Sequence, residues 1–143
     1  MIEWDHDRLD RLERTAFDAW GAGGSASAEA AFALFAHGLR RHIGFEEALL
    51  FPEFERRNGI DPGAGPTAGL RTEHRQILAL LSAIELAVRS ESVPAPLLRR
   101  HLQDELRAHS HKEEHLLYPM ADSVLTPGQR DDLVRRIQVY QER

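Results

Sequence analysis

The 143 residues suffice for one domain with a real core, and 42% hydrophobic and 29% charged side chains are the proportions of an ordinary globular chain. There is no Cys, which excludes disulfides, thiolate metal sites and a cysteine nucleophile and leaves imidazole and carboxylate to bind any metal. A net charge of −5 offers no basic field for nucleic acid or anionic lipid, and no apolar run approaches the roughly 18 residues that span a bilayer. The N-terminus lacks the basic flank and apolar run of a signal peptide, so the expectation is a cytoplasmic protein with no nucleic-acid or membrane partner.

Apolar residues recur at helical spacing almost throughout. A first helix is predicted over about 3–20, with Ile2, His6, Leu9, Leu12 and Ala16 or Phe17 on one side, ended by the glycines at 21–24. A second is predicted over about 27–57, capped by Ser25 or Ser27, with Ala31, Phe35, Leu39, His42, Glu46, Leu49 and Glu53 inward. Pro52 is expected to kink it or end it early. Residues 58–66 read as a loop, and Thr67 as the N-cap of a third helix to about 91, with Leu70, His74, Ile77, Leu78, Leu81, Ile84 and Val88 inward. After a break at 92–94, a fourth helix over about 95–122 has Leu98, Leu102, Leu106, His109, Glu113, Leu116 and Met120 inward and is interrupted by Pro119. Thr126-Pro127 opens a short terminal helix to about 141. The pattern is all-α: an up-down-up-down four-helix bundle with a short C-terminal fifth helix, forming a single domain over 1–143.

An internal repeat carries the chemistry. His42-Ile43-Gly44-Phe45-Glu46-Glu47-Ala48-Leu49-Leu50-Phe51-Pro52 aligns with His109-Ser110-His111-Lys112-Glu113-Glu114-His115-Leu116-Leu117-Tyr118-Pro119, identical at six positions of eleven. The offset is 67, and at 68 Asp5-His6 falls on Glu73-His74. Each copy therefore has a His on its first helix and His-x-x-x-Glu on its second. Residues i and i+4 of a helix lie about 6 Å apart along the axis and about 40° apart in azimuth, so each His and Glu point into one volume. Four imidazoles and two carboxylates would then meet inside the bundle. The plainer reading of these residues is a buried ion-pair network, but buried carboxylates among imidazoles are costly without a cation.

Among the other histidines, His37, His111 and His115 fall on the solvent side, while His101 with Glu105 sits at the edge of the inner stripe, as a surface pair or one reaching inward. Glu47 and Glu114 read as surface partners of Arg41 and Lys112, or as outer partners of the ligating histidines. Phe51 and Tyr118 are expected to pack at the bundle end.

The series His6, His42-Glu46, His74, His109-Glu113, with Leu50-Phe51-Pro52 and Leu117-Tyr118-Pro119 after the pairs, resembles the hemerythrin family, and more closely its HHE cation-binding branch, over roughly residues 2–122. The resemblance implies two iron ions joined by an oxo or hydroxo bridge, with His6, His42, His74 and His109 as terminal ligands and Glu46 and Glu113 as bridging carboxylates. It implies dioxygen, nitric oxide or peroxide as ligand or reactant, and an electron donor where there is turnover. Zinc or another divalent metal fits the same donors. Leu78 stands where oxygen-carrying members have a further His, so the set resembles members that handle nitric oxide, sense iron or repair damaged iron centres. A binding module, a redox enzyme of the nitric oxide reductase or peroxidase kind, and a scaffold with an adventitious metal are the three function classes that this leaves. No Ser-His-Asp set, phosphate loop or substrate-sized polar cleft is legible.

Overall fold

The computed structural model describes residues 1–23, 25–90, 94 and 96–141. Helix α1 spans Glu3–Gly21. Helix α2 runs without interruption through an α-helical stretch Ser25–Phe45, a π-helical turn Glu46–Leu50 and a second α-helical stretch Phe51–Asn58. Helix α3 spans Pro66–Arg89. Helix α4 repeats the pattern of α2, with Pro96–Lys112, a π-helical turn Glu113–Leu117, and Tyr118–Val124. A shorter α5 covers Pro127–Gln138. Among the described residues there is no strand, and no helix is long and apolar enough to cross a membrane. Helix α1 packs along α2 and α3 along α4, and these two hairpins build an up-down-up-down bundle with α5 against one end.

Pro52 and Pro119 do not end α2 and α4, which continue through a π-helical turn placed just before each proline. The N–H groups of Phe51 and Tyr118 reach back five residues, to the carbonyls of Glu46 and Glu113. This wider turn makes room for the ring of the following proline and tolerates its missing N–H. The extra residue also rotates everything after it by about 100°. The predicted inner positions Leu116 and Met120 are therefore 60% and 42% exposed, while Leu117, Tyr118 and Ala121 are buried. In α2, Leu50 and Phe54 take the inner places expected for Leu49 and Glu53, and Glu53 instead pairs with Arg56 and Arg57.

Other boundaries differ in smaller ways. Helix α2 begins at Ser25, so Ser27 lies inside it; the residue before it, and those at 91–93, lie outside the described residues. The first residue of α3 is Pro66, whose fixed φ suits that position, and Gly65 is its N-cap. Thr67 is not a cap: it is buried and its hydroxyl donates to Glu55. Helix α5 ends at Gln138, three residues earlier than expected.

Thr126 and Gln129 form the capping box that starts α5. The Arg41 guanidinium donates to carbonyls at and just beyond the C-terminus of α5, at 2.8 Å from Ile137 O, 3.0 Å from Gln138 O and 3.1 Å from Tyr140 O. Leu133 and Ile137 bury themselves beside Phe45, Leu50 and Tyr118, so α5 caps the bundle. A second apolar cluster, with Phe17, Phe35, Leu39, Leu81 and Leu102, fills the opposite half. The polar side chains His42, Glu46, His74, His109 and Glu113 are buried between residues of these two clusters.

Candidate metal centre

The six side chains singled out in the sequence meet at one level of the bundle. His6 and His42 bring their Nε2 atoms to 3.2 Å from each other, and His74 and His109 to 3.1 Å. Glu46 reaches both pairs, with Oε1 3.1 Å from His74 Nε2 and Oε2 3.4 Å from His42 Nε2. Glu113 does the same through one atom, Oε1, at 3.0 Å from His6 Nε2 and 3.3 Å from His109 Nε2. Two groups result, His6-His42-Glu46-Glu113 and Glu46-His74-His109-Glu113, each with one ligand atom per residue and all of these within 4.8 Å of one another. The two glutamates belong to both. The π-helical turns begin at these glutamates, so each His-x-x-x-Glu pair keeps α-helical spacing and only the helix beyond it is re-aimed.

Three of the imidazoles are hydrogen-bonded from behind by a carboxylate, while His6 has one nearby without a hydrogen bond from its buried Nδ1. Asp5 lies 2.7 Å from His42 Nδ1, Glu73 3.0 Å from His109 Nδ1, Glu47 2.7 Å from His74 Nδ1 and Glu114 3.4 Å from His6 Nδ1. These pairs obey the internal repeat: Asp5 and Glu73 act within their own hairpins, and Glu47 and Glu114 across to the other. Glu47 and Glu114 are thus outer partners of the ligand set and not partners of Arg41; Lys112 pairs with Glu73 at 2.6 Å. Asp5 and Glu73 were visible beside His6 and His74 in the repeat, but their targets are histidines on the neighbouring helix, which spacing along one chain does not reveal.

At His42, His74 and His109 the outer carboxylate fixes the tautomer, leaving the Nε2 atom directed at its neighbours and at Glu46 or Glu113. Such an array needs positive charge. Without a metal it takes protons: burial alone would lower the pKa of His42, but Glu46, Asp5 and Glu113 hold it well above the usual value. Burial is likewise outweighed at His109, pushed up to about 10 by Glu113 and Glu46. Glu113 Oε2 is buried with no hydrogen-bond partner. Imidazole nitrogens, two shared carboxylates and an orphaned carboxylate oxygen fit a pair of divalent or trivalent cations.

The two halves differ in the aromatic residue that follows each His-x-x-x-Glu pair. Phe51 stacks on His74 with ring centroids 5.4 Å apart, and Tyr118, its equivalent in the repeat, stacks on His6 at 5.7 Å. The phenol adds an Oη that donates to Glu46 Oε2 at 3.1 Å and lies 3.2 Å from His6 Nε2. Tyr118 therefore enters the site as well as packing the bundle end. The remaining histidines stay outside. His101 is exposed, 3.6 Å from Glu105, and does not reach the interior. His111 and His115 are exposed with ring centroids 4.1 Å apart, and His37 is exposed.

The hemerythrin HHE cation binding domain model matches residues 2–121, and matches again over 66–137. The chain belongs to this family. In this HHE domain the second match starts at Pro66, the first residue of α3, in keeping with the internal repeat. Membership makes metal-cation binding the coarse function, and the His and Glu side chains that carry the family resemblance are those found together in the interior. No curated protein and no solved structure gives a significant match.

Proposed function

We propose that this HHE domain holds two iron ions and binds or reacts with dioxygen, nitric oxide or peroxide through them. His6 and His42 would serve one ion and His74 and His109 the other, with Glu46 and Glu113 shared. The observation that carries this reading is the sharing itself: two carboxylates, both buried, each within 3.4 Å of an imidazole on either side. A pair of irons supplies redox chemistry toward diatomic ligands and peroxide. The chain's own residues do the rest. The outer carboxylates keep the Nε2 atoms of His42, His74 and His109 aimed inward, Tyr118 orients Glu46, and apolar clusters pack on either side of the site. Leu78, half-buried one turn from His74, adds no further ligand.

The test is metal analysis with visible absorption on protein purified anaerobically from iron-replete cells. About two irons per chain and a bridged di-iron spectrum are expected, and Glu46→Ala should remove both ions because it serves both positions. Iron-free protein under those conditions, or zinc retained in its place, overturns the iron reading. Turnover of peroxide or nitric oxide with an added reductant assigns a redox enzyme; a reversible adduct without turnover assigns a binding module.

A further inference from the structure

A cavity of about 330 Å³ lies between α1 and α4 and reaches the candidate metal centre at His6, His42 and His109. This is at the lower end of the roughly 300–1,000 Å³ of small-molecule sites and far larger than a diatomic ligand requires. Its walls include the buried side chains of Leu9, Phe35, Leu39 and Ile77. Glu13 also lines it, only 5% exposed, and accepts a hydrogen bond of 2.6 Å from Gln103 Nε2. Glu13 stands two helical turns from His6, about 10 Å along the axis of α1.

The repeat shows that this polar pair is particular to one interface. At the same offsets, Glu13 corresponds to Leu81 and Gln103 to Ala36, both buried in the apolar core. The fold can therefore close that interface with aliphatic side chains, yet between α1 and α4 it buries a carboxylate beside a cavity. Burial pushes the Glu13 pKa up, and the Gln103 hydrogen bond and the Arg99 charge do not cancel the shift, so the carboxylate is short of compensating charge. Asp10, which also lines the cavity, adds a second negative charge near Glu13, whereas the positive charge of the centre gathers at the histidines two helical turns away, so the Glu13 end disfavours an anionic group.

We propose that this cavity binds a small organic amine, its ammonium group held by the Glu13 carboxylate and the Gln103 amide oxygen and its apolar body directed toward the histidines. The site stands on the cavity and the Glu13–Gln103 pair, and it does not depend on which metal the centre holds.

Calorimetric titration of the metal-loaded protein with benzylamine, benzyl alcohol and benzoate tests this. Benzylamine should bind at least tenfold more tightly than benzyl alcohol, with benzoate weakest. Glu13→Gln should erase the preference for the amine with metal content unchanged, and Leu106→Trp, which fills the cavity from a half-buried position, should abolish binding of all three. The proposal is overturned by no binding, by equal binding of amine and alcohol, or by an amine preference that survives Glu13→Gln, which would place the amine on the metals. Metal content, read separately, reports on the iron reading.

Discussion

At the residue scale, the centre has two layers with different jobs. His6, His42, His74 and His109 present Nε2 inward, and carboxylates hydrogen-bonded to Nδ1 hold three of them, His42, His74 and His109, in that orientation. Removing one outer partner leaves the ligand in place but frees its ring and tautomer, which costs about 10–100-fold in metal affinity. Asp5→Asn and Glu73→Gln occupy equivalent places in the repeat and should each weaken metal binding by that amount, measured by competition with a chromophoric chelator. Unchanged affinity in both would mean that these pairs only support packing. The convergence of the inner His and Glu side chains was legible from His-x-x-x-Glu spacing and its repeat, because i and i+4 share a helix face. The outer ones were legible only in part: Glu47 and Glu114 stood as one of two readings, but which histidine each carboxylate meets was hidden, because Asp5 with His42 and Glu47 with His74 meet across helices, where only three-dimensional placement relates them.

At the element scale, the two π-helical turns decide which residues are core. Helical periodicity assigned Leu116 to the interior and left Leu117 outside it, since a strict 3.6-residue period carries no sign of an inserted residue. The signal was the repeated proline: in both helices the turn widens just before Pro52 and Pro119, one of the ways a helix accommodates the ring and its missing N–H. Leu117→Ala, at 1% exposure, should cost about 2–5 kcal/mol as a core truncation. Leu116→Ala should stay within about 0.5 kcal/mol as a surface change. Urea denaturation of the two variants compares them directly, and the opposite ranking would contradict the π-helical register. Elsewhere the boundaries read from sequence held within a few residues, as at α1, because glycine runs and capping signals act locally.

At the scale of the whole molecule, an ionic cluster ties the end of α2 to the start of α3. Glu55 is buried, accepts from Thr67 and Arg71, and bridges the loop 59–65. Burial would raise its pKa, but the hydrogen bonds from Arg71 and Thr67 and the Arg71 charge outweigh it and bring the pKa below the ordinary 4.5. A carboxylate with a lowered folded-state pKa contributes stability that is complete above its unfolded value and lost as pH falls through the folded one. Between neutrality and the acid side of pH 4.5, wild type should therefore lose more stability than Glu55→Gln, as followed by thermal unfolding across that range. Parallel losses in the two proteins would remove Glu55 from the acid response. Thr67 was read as a helix cap because Thr before an apolar run is a common start signal. Its use as a tether for Glu55 depends on a residue twelve positions earlier, beyond any local pattern.

The shared glutamates have a consequence for the two halves. Glu46 of the first hairpin sits on His74 of the second, and Glu113 of the second sits on His6 of the first. Neither hairpin alone owns a complete coordination set. Cation binding is therefore also a free energy of association between half-molecules, an internal staple whose strength follows the metal's own chemical potential.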